Sequence, residues 1–329
     1  NKETFSELRN FESRRFAVKL KLALENTDKV GAVRVTPNTS VSGEIYIIGK
    51  IQESNGQKIK VSIKVVDATG KKIMDKSFSK KIKANHYSNI RTKTQDAYNK
   101  FFDDIAKKIV IKLEKLKPET VLRITRINDL RFGAEFSPES FRPYLKKKKN
   151  NYDLIGLPSD NDPMWERVKS IKVREQIFID SLQNHYDKFV NSSNQSYILW
   201  QGQSYNEIVA AKQARNKAIG RGVLGVLSIA AAVASASSAQ DNDYTNEVAI
   251  ATLGGKLLED AAKFKAEAKM HRDSIKELGE SLDAELAPNV VEFETKTVEL
   301  TGNAKQQFLE WRKFLKKIYE LEKTPDIQL

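Results

Sequence analysis

The chain has 329 residues, no cysteine and three histidines, and this composition excludes several classes of site before any motif is considered. Without cysteine there are no disulfides, thiolate metal ligands or cysteine nucleophiles. The three histidines lie far apart in sequence, which argues against a histidine-rich metal centre. Hydrophobic residues make up 40% of the chain and charged residues 30%, so we expect a folded protein with a sizeable core and room for two domains.

The net charge of +13 belongs to the first third of the chain. Residues 1–117 contain 26 Lys and Arg against 13 Asp and Glu, whereas the rest of the chain contains 30 of each. A local basic surface attracts phosphate, either in nucleic acid or in anionic lipid headgroups. The alternative interpretation is a solvated, lysine-rich face without a ligand.

Residues 1–117 are predicted to form a small, basic α/β domain. Helical spacing of apolar residues, including Phe16 and Leu20, predicts a first helix. Short apolar runs bounded by turn residues, one of them an Asn-Gly pair, predict strands over 30–35, 45–51, 59–65 and 73–78. A second helix is predicted over 94–115, and Pro118 is expected to end the domain.

Lysines alternate with aliphatic residues along the strand predicted over 59–65, which indicates a sheet with one wet face. Lys58, Lys60 and Lys64 are therefore candidates for binding an anionic surface. A connector over 118–163 is expected to be rich in turns, because it has no clear period. It contains four further candidates, which a solvated loop would also explain: Lys146, Lys147, Lys148 and Lys149.

The region over 164–329 is predicted to be mainly helical. An apolar stripe predicts a helix over 164–189, and a polar stretch at 191–194 is expected to interrupt it. A helical hairpin rich in Gly and Ala is predicted over 205–282, followed by a strand–helix tail over 290–322. The expected fold class is α+β, in which a small α/β domain with a mixed or antiparallel sheet precedes this helical region.

Residues 222–240 carry no charge, and three interpretations of this segment are open. Its length matches a bilayer span, although the Ala and Ser of its second half supply little transfer energy. Its small residues allow close helix–helix approach, which favours a tightly packed hairpin within or between subunits. The other two interpretations are membrane insertion as part of an oligomer and an isolated membrane anchor. The residues predicted to pack the hairpin and to mediate self-association are Gly222, Gly225, Ser228, Ala232, Gly254 and Gly255.

The sequence contains no recognised catalytic or nucleotide-binding motif. Gly220 to Gly225 reads G-x-G-x-x-G, but the residues on both sides are predicted helical, whereas the dinucleotide fingerprint follows a strand. Carboxylate pairs such as Asp103 and Asp104 lie on lysine-rich helices, where ion pairing explains them. Aromatic residues do not form a stacking platform between the lysines, so nucleic acid is the less favoured partner. We expect no enzymatic activity, no cofactor and no metal.

The strands of the N-terminal region resemble a periplasmic domain family. One strand runs from Ser42 to Ile51, and the other runs from Val61 into Val66-Asp67-Ala68-Thr69-Gly70. In these residues the segment 11–117 is similar to the N-terminal domain of TolB and to CsgG, the curli-secretion lipoprotein. The resemblance implies a protein of the Gram-negative envelope, located in the periplasm and attached to the outer membrane by a lipidated cysteine preceding Asn1. It also implies a family of non-enzymatic proteins that often form rings which scaffold or conduct export.

We therefore expect an outer-membrane-associated lipoprotein that self-assembles into a homo-oligomeric ring. It would act as a scaffold or channel component of a secretion or envelope-spanning machine, in contact with other envelope proteins. Contact with the outer membrane would run through an N-terminal lipid or through residues 222–240. The alternative is a soluble periplasmic module that binds anionic lipid, lipopolysaccharide or nucleic acid through its basic domain.

Overall fold

The computed structural model of this chain describes residues 2–220, 289–293, 296–300 and 303–323, and within them the fold is α+β, as predicted. The helices are α1 (Lys2–Glu25), α2 (Ala84–Ser88), α3 (Asn99–Leu113), α4 (Pro118–Phe136), α5 (Pro138–Phe141), α6 (Pro163–Gly220) and α7 (Ala304–Lys323). The strands are β1 (Ile45–Ser54), β2 (Lys58–Asp67), β3 (Lys72–Lys81), β4 (Leu145–Lys148), β5 (Asn151–Leu154), β6 (Asn289–Phe293) and β7 (Lys296–Leu300).

β1, β2 and β3 form an antiparallel sheet in that order, which confirms three of the four strands predicted in the N-terminal region. The aliphatic residues of β2 alternate with polar ones and are buried on one face, where α1 and α3 pack. The Asn-Gly turn joins β1 to β2, and Gly56 has a φ of 72° there. Gly70, in the turn between β2 and β3, has a φ of 88°. Both turns therefore use the left-handed conformation that favours glycine.

The strand predicted over 30–35 is absent, and the chain there is irregular. The backbone of this segment forms hydrogen bonds with a side chain of α6 instead of with a neighbouring strand. The Gln183 amide accepts a hydrogen bond from Val35 N at 2.9 Å and donates one to Val35 O at 2.9 Å. Arg34 forms an ion pair with Asp180 of the same helix at 2.5 Å. These side chains satisfy the polar groups that a sheet would otherwise satisfy.

The prediction of an irregular connector is wrong over its first half, because α4 occupies 118–136. Pro118 begins this helix; proline fits the first helical turn, where its missing N–H is not needed. Ile124, Ile127 and Leu130 are buried along one side of α4. The lysine run is also ordered, as strand β4 paired with β5.

α6 is a single helix of 58 residues, so the break predicted at 191–194 is wrong. The polar residues that suggested a break have partners in the fold. The Ser193 hydroxyl donates to Phe189 O at 2.7 Å, one turn back along the helix. Asn194 accepts a hydrogen bond from Arg15 of α1 at 2.6 Å. A helix interior tolerates such residues where tertiary contacts satisfy them.

The strand–helix tail predicted over 290–322 is confirmed by the β6–β7 hairpin and by α7. α7 packs on α6, with Trp311 and Phe178 stacked at 5.7 Å between ring centroids. Arg312 of α7 donates to Glu175 of α6 at 2.7 Å and to Glu135 of α4 at 2.5 Å. This arginine therefore ties three helices together.

Most of the buried apolar side chains form one cluster that extends from α1 and the sheet through α3 and α4 to α6 and α7. The division into domains over 1–117 and 164–329, with a connector over 118–163, stays a prediction about folding units. The hairpin predicted over 205–282 begins within α6, and the part of it over 221–282 lies outside the described residues.

Candidate anionic-surface site

The face of the three-stranded sheet that points away from the core carries lysine on each strand, and we call it the basic face. Its residues on β2 are Lys58, Lys60, Ser62, Lys64 and Val66. The strand register places Lys50 of β1 opposite Ser62 and Lys81 of β3 opposite Lys58. The lysines predicted from β2 thus lie on one open face, and the register adds lysines that the sequence pattern did not select.

The acidic side chains on the basic face are paired with lysines at its margins. Glu53 Oε2 lies 2.5 Å from Lys58 Nζ, and Asp75 Oδ2 lies 2.9 Å from Lys72 Nζ. Three lysines nearer the centre have side chains that form neither an ion pair nor a hydrogen bond among the described residues: Lys50, Lys60 and Lys64. The centre of the basic face therefore carries uncompensated positive charge.

Two hydroxyl groups lie between these central lysines. Ser62 Oγ is 2.8 Å from Ser77 Oγ across the β2–β3 pair. Gln52 Nε2 of β1 donates to Ser62 Oγ at 2.5 Å. Lys60 and Lys64 stand two residues before and after Ser62, on the same side of β2. Gln52, Ser62 and Ser77 therefore form a polar row across the three strands, and the unpaired lysines surround this row.

The lysine run Lys146–Lys149 is exposed on the β4–β5 hairpin, beside the turn between β2 and β3. Tyr152 N donates to Thr69 O at 2.7 Å, and a Cβ on Gly70 would lie 2.1 Å from Asn150 O. The hairpin thus meets the end of the sheet nearest Lys64. Exposed lysines that directly follow Gly70 lie at the same contact and were missed by sequence reasoning: Lys71 and Lys72.

Arg131 of α4 holds the contact between this hairpin and the sheet turn. Its Nη1 donates to Ala68 O at 2.6 Å, and its guanidinium lies 4.6 Å from the centroid of the Tyr152 ring. Ala68 is fully buried, so the hydrogen bond from Arg131 holds the turn between β2 and β3 on its buried side. The two lysine clusters predicted from sequence are therefore held by one packed junction, although 82 positions separate Lys64 from Lys146.

Glu12 of α1 is the buried carboxylate whose pKa is most relevant to acid–base chemistry. Burial raises its pKa to about 6, against the opposing influence of the Arg9 charge and of hydrogen bonds. Its Oε1 accepts from the Ser54 hydroxyl at 2.5 Å and from the Tyr197 hydroxyl at 2.8 Å, and its Oε2 accepts from Arg9 at 2.5 Å. Because both oxygens are occupied and the side chain is fully enclosed, this geometry serves the fold and offers no place for a substrate.

A second buried network next to Glu12 joins α1 to α6. Arg15 Nη2 donates to Asp96 Oδ2 at 2.7 Å, and the Arg15 guanidinium lies 4.4 Å from the centroid of the Tyr197 ring. Gln201 of α6 donates to Asp96 Oδ1 at 2.9 Å. Burial alone would raise the pKa of Asp96, but the charges of Arg15 and Lys19 and the hydrogen bonds hold it below the ordinary value. Asp96 therefore stays ionised and anchors the long helix.

The other sequence-based candidates give no second site in the part of the chain that the structure describes. No three His, Cys, Asp or Glu side chains within those ranges are grouped to hold a metal ion. None of the helices described there is long and apolar enough to cross a bilayer. The residues predicted for self-association lie outside the described residues: Gly222, Gly225, Ser228, Ala232, Gly254 and Gly255.

Comparison with known proteins gives no relative for this chain: no protein-family model, curated protein or solved structure matches it. The resemblance of residues 11–117 to the TolB and CsgG domains therefore stays a prediction.

Proposed function

We propose that this protein is a non-catalytic binding module whose basic face docks on an anionic lipid surface. The observation that supports the proposal is the group of central lysines without partners on an open sheet face: Lys50, Lys60 and Lys64. The two carboxylates on the face, Glu53 and Asp75, pair with lysines at its margins, so the charge of the central lysines is left for an external anion.

The dimensions of the basic face suit contact with an extended anionic surface. A strand rises about 3.3 Å per residue, so Lys58 and Lys64 stand roughly 20 Å apart. A lysine close to an anionic membrane contributes on the order of 1 kcal/mol to binding. The three central lysines together would supply about 3 kcal/mol, and the margins of the face and the Lys146–Lys149 run would add to this. Such binding is reversible and weakens with added salt.

Side-chain chemistry favours lipid over nucleic acid as the partner. Tyr46 is the aromatic residue on the described basic face, and its hydroxyl already donates to Val41 O at 3.1 Å and accepts from Gly43 N at 3.1 Å. One half-buried aromatic ring does not make the series of stacking surfaces that single-stranded nucleic acid binds. Ile48, opposite Lys64 on the same face, is 44% exposed and suits the boundary between headgroups and acyl chains.

Vesicle co-sedimentation tests the proposal with two matched triple variants. Lys50→Ala/Lys60→Ala/Lys64→Ala is expected to weaken binding to vesicles containing phosphatidylglycerol by roughly 100-fold. Lys100→Ala/Lys107→Ala/Lys112→Ala removes the same charge from the exposed side of α3, the helix that packs on the buried face of the sheet. This control is expected to bind nearly as well as the wild type. Equal loss in both variants, or no loss in the first, would contradict the proposal.

Self-assembly into an envelope scaffold is the second candidate function, and the length of α6 favours it. An uninterrupted helix of 58 residues is about 87 Å long, and the uncharged segment at 222–240 follows it closely in sequence. In this proposal the small residues of that segment associate between copies, and the resulting homo-oligomer acts as a scaffold or channel component with other proteins of the outer-membrane envelope. The native mass of the full chain in mild detergent tests it, because a single-chain mass contradicts assembly.

A further inference from the structure

We infer that the centre of the basic face is a discrete binding site for a phosphate monoester. The site consists of the Ser62–Ser77 hydroxyl pair and of the lysines around it: Lys50, Lys60 and Lys64. This inference rests on the proposed function, because it assigns a headgroup chemistry to the surface that docks on lipid. It goes beyond that function because general attraction to negative charge requires no hydroxyl groups and no particular phosphate ester.

The strand register brings the three ammonium groups within reach of one point above Ser62. Lys50 lies directly opposite Ser62 on β1, where Cβ atoms of paired residues are about 5 Å apart. Lys60 and Lys64 are two residues away on β2, or roughly 7 Å. The long, flexible stem of lysine allows its ammonium group to bend toward a shared anion.

The charge balance of the face leaves this point without a compensating anion. Glu53 and Asp75 lie opposite Lys60 and Lys64 in the strand register, but each carboxylate forms its ion pair with a different lysine, Lys58 or Lys72. Three like charges around one point repel each other in the free protein. A dianionic ligand at that point relieves the repulsion, and a phosphate monoester carries nearly two negative charges near neutral pH.

The hydroxyl pair supplies donors that would discriminate between phosphate esters. Each serine has one O–H proton, and the mutual bond between Ser62 and Ser77 uses only one of the two. The second hydroxyl proton, and the second N–H of the Gln52 amide that already bonds Ser62, are available to an acceptor on the open face. A monoester presents three terminal oxygens and a higher charge, whereas the diester linkage of most phospholipids presents two terminal oxygens and a single charge.

Vesicles that differ only in headgroup test the inference. Phosphatidic acid carries a monoester and phosphatidylglycerol a diester, and the two are compared at equal surface charge. The wild-type chain is expected to bind phosphatidic acid about tenfold more tightly. The double variant Ser62→Ala/Ser77→Ala is expected to lose this preference and to bind the two lipids with equal affinity. Ser79→Ala is the matched control, because Ser79 is an exposed serine on the same face of β3.

The outcomes separate this inference from the proposed function. Equal affinity of the wild type for the two lipids, or a preference that survives in the double variant, overturns the phosphate site and leaves docking through lysine intact. Failure of Lys50→Ala/Lys60→Ala/Lys64→Ala to weaken binding to phosphatidylglycerol overturns the docking function itself. Circular dichroism and the thermal midpoint of each variant establish that it is folded.

Calorimetric titration with inorganic phosphate distinguishes a lipid-borne from a free ligand. Heat of binding that disappears in Ser62→Ala/Ser77→Ala supports a site that accepts the free group. A response to phosphatidic acid vesicles alone, lost in the same variant, supports a site that requires the headgroup on a membrane. If neither ligand gives a response that depends on the two serines, the inference is wrong.

Discussion

The free energy of unfolding of the wild-type protein is expected to fall as the pH rises through the pKa of Glu12. The substitution Glu12→Gln is expected to remove this pH dependence. Burial raises the pKa of this carboxyl from 4.5 to about 6 in the folded state. The folded chain therefore holds the proton more tightly than the unfolded chain does. The resulting stabilisation is complete below about pH 4.5 and is lost as the pH rises through about 6. A change of 1.5 pKa units corresponds to roughly 2 kcal/mol, of which about 1 kcal/mol falls between about pH 5 and pH 8.

The groups that face Glu12 make this titration separable from the others. Tyr197 keeps its proton throughout this pH range, since burial raises the pKa of its hydroxyl well above the ordinary value. The Ser54 hydroxyl does not titrate. Asp96, in the adjacent network, has a pKa held below its ordinary value and stays ionised. The difference between wild type and Glu12→Gln therefore reports mainly on the one carboxyl.

Urea unfolding at about pH 5 and about pH 8 measures this difference, with tryptophan fluorescence as the signal. Trp165, Trp200 and Trp311 are all buried, so their emission follows loss of the core. Glu119→Gln is the control, because Glu119 is exposed in the first turn of α4. A pH dependence of Glu12→Gln that equals that of the wild type would falsify the assignment of a raised pKa to Glu12.

Three further predictions concern single side chains. Gly70→Ala is expected to lower the free energy of unfolding in urea by at least about 1 kcal/mol. The residue has a φ of 88°, and its new Cβ would meet Asn150 O at 2.1 Å. Unchanged stability would show that the turn and the β4–β5 hairpin do not touch. Arg312→Ala is expected to lower the free energy of unfolding by about 3 kcal/mol, since it leaves the buried Glu175 carboxylate without its cation. A loss below about 1 kcal/mol would refute this. Gly225→Leu is expected to lower the native mass to that of one chain, because a bulky side chain separates closely packed helices; an oligomer that persists would exclude Gly225 from its interface.

The sheet was predictable from the sequence because its signals are local. Alternation along β2 and the glycine turns at Gly56 and Gly70 are each visible within ten residues. The course of the helices was less predictable because distant residues decide it. α6 continues through Ser193 and Asn194 only because Arg15 of α1 and the preceding turn of the helix satisfy their polar groups.

The candidate site divides in the same way between local and distant signals. Lys58, Lys60 and Lys64 follow from the alternation, which assigns them to the polar side of one strand. The Ser62–Ser77 pair and the position of Lys50 depend on strand register, which a single strand does not reveal. The ion pairs of Glu53 and Asp75 with lysines at the margins depend on side-chain geometry, which the sequence likewise does not reveal.

The two glycine turns of the sheet have a consequence for where this chain tolerates an insertion. Hairpin tips are usually the safest places for an epitope or a fluorescent domain. Here a Cβ on Gly56 would lie 2.2 Å from Gln201 O of α6, and one on Gly70 would lie 2.1 Å from Asn150 O. Each tip is pressed against the backbone of another element, so added residues would have to push α6 or the β4–β5 hairpin away. A reporter is better placed in the exposed loop around Ser159, remote in sequence from both tips.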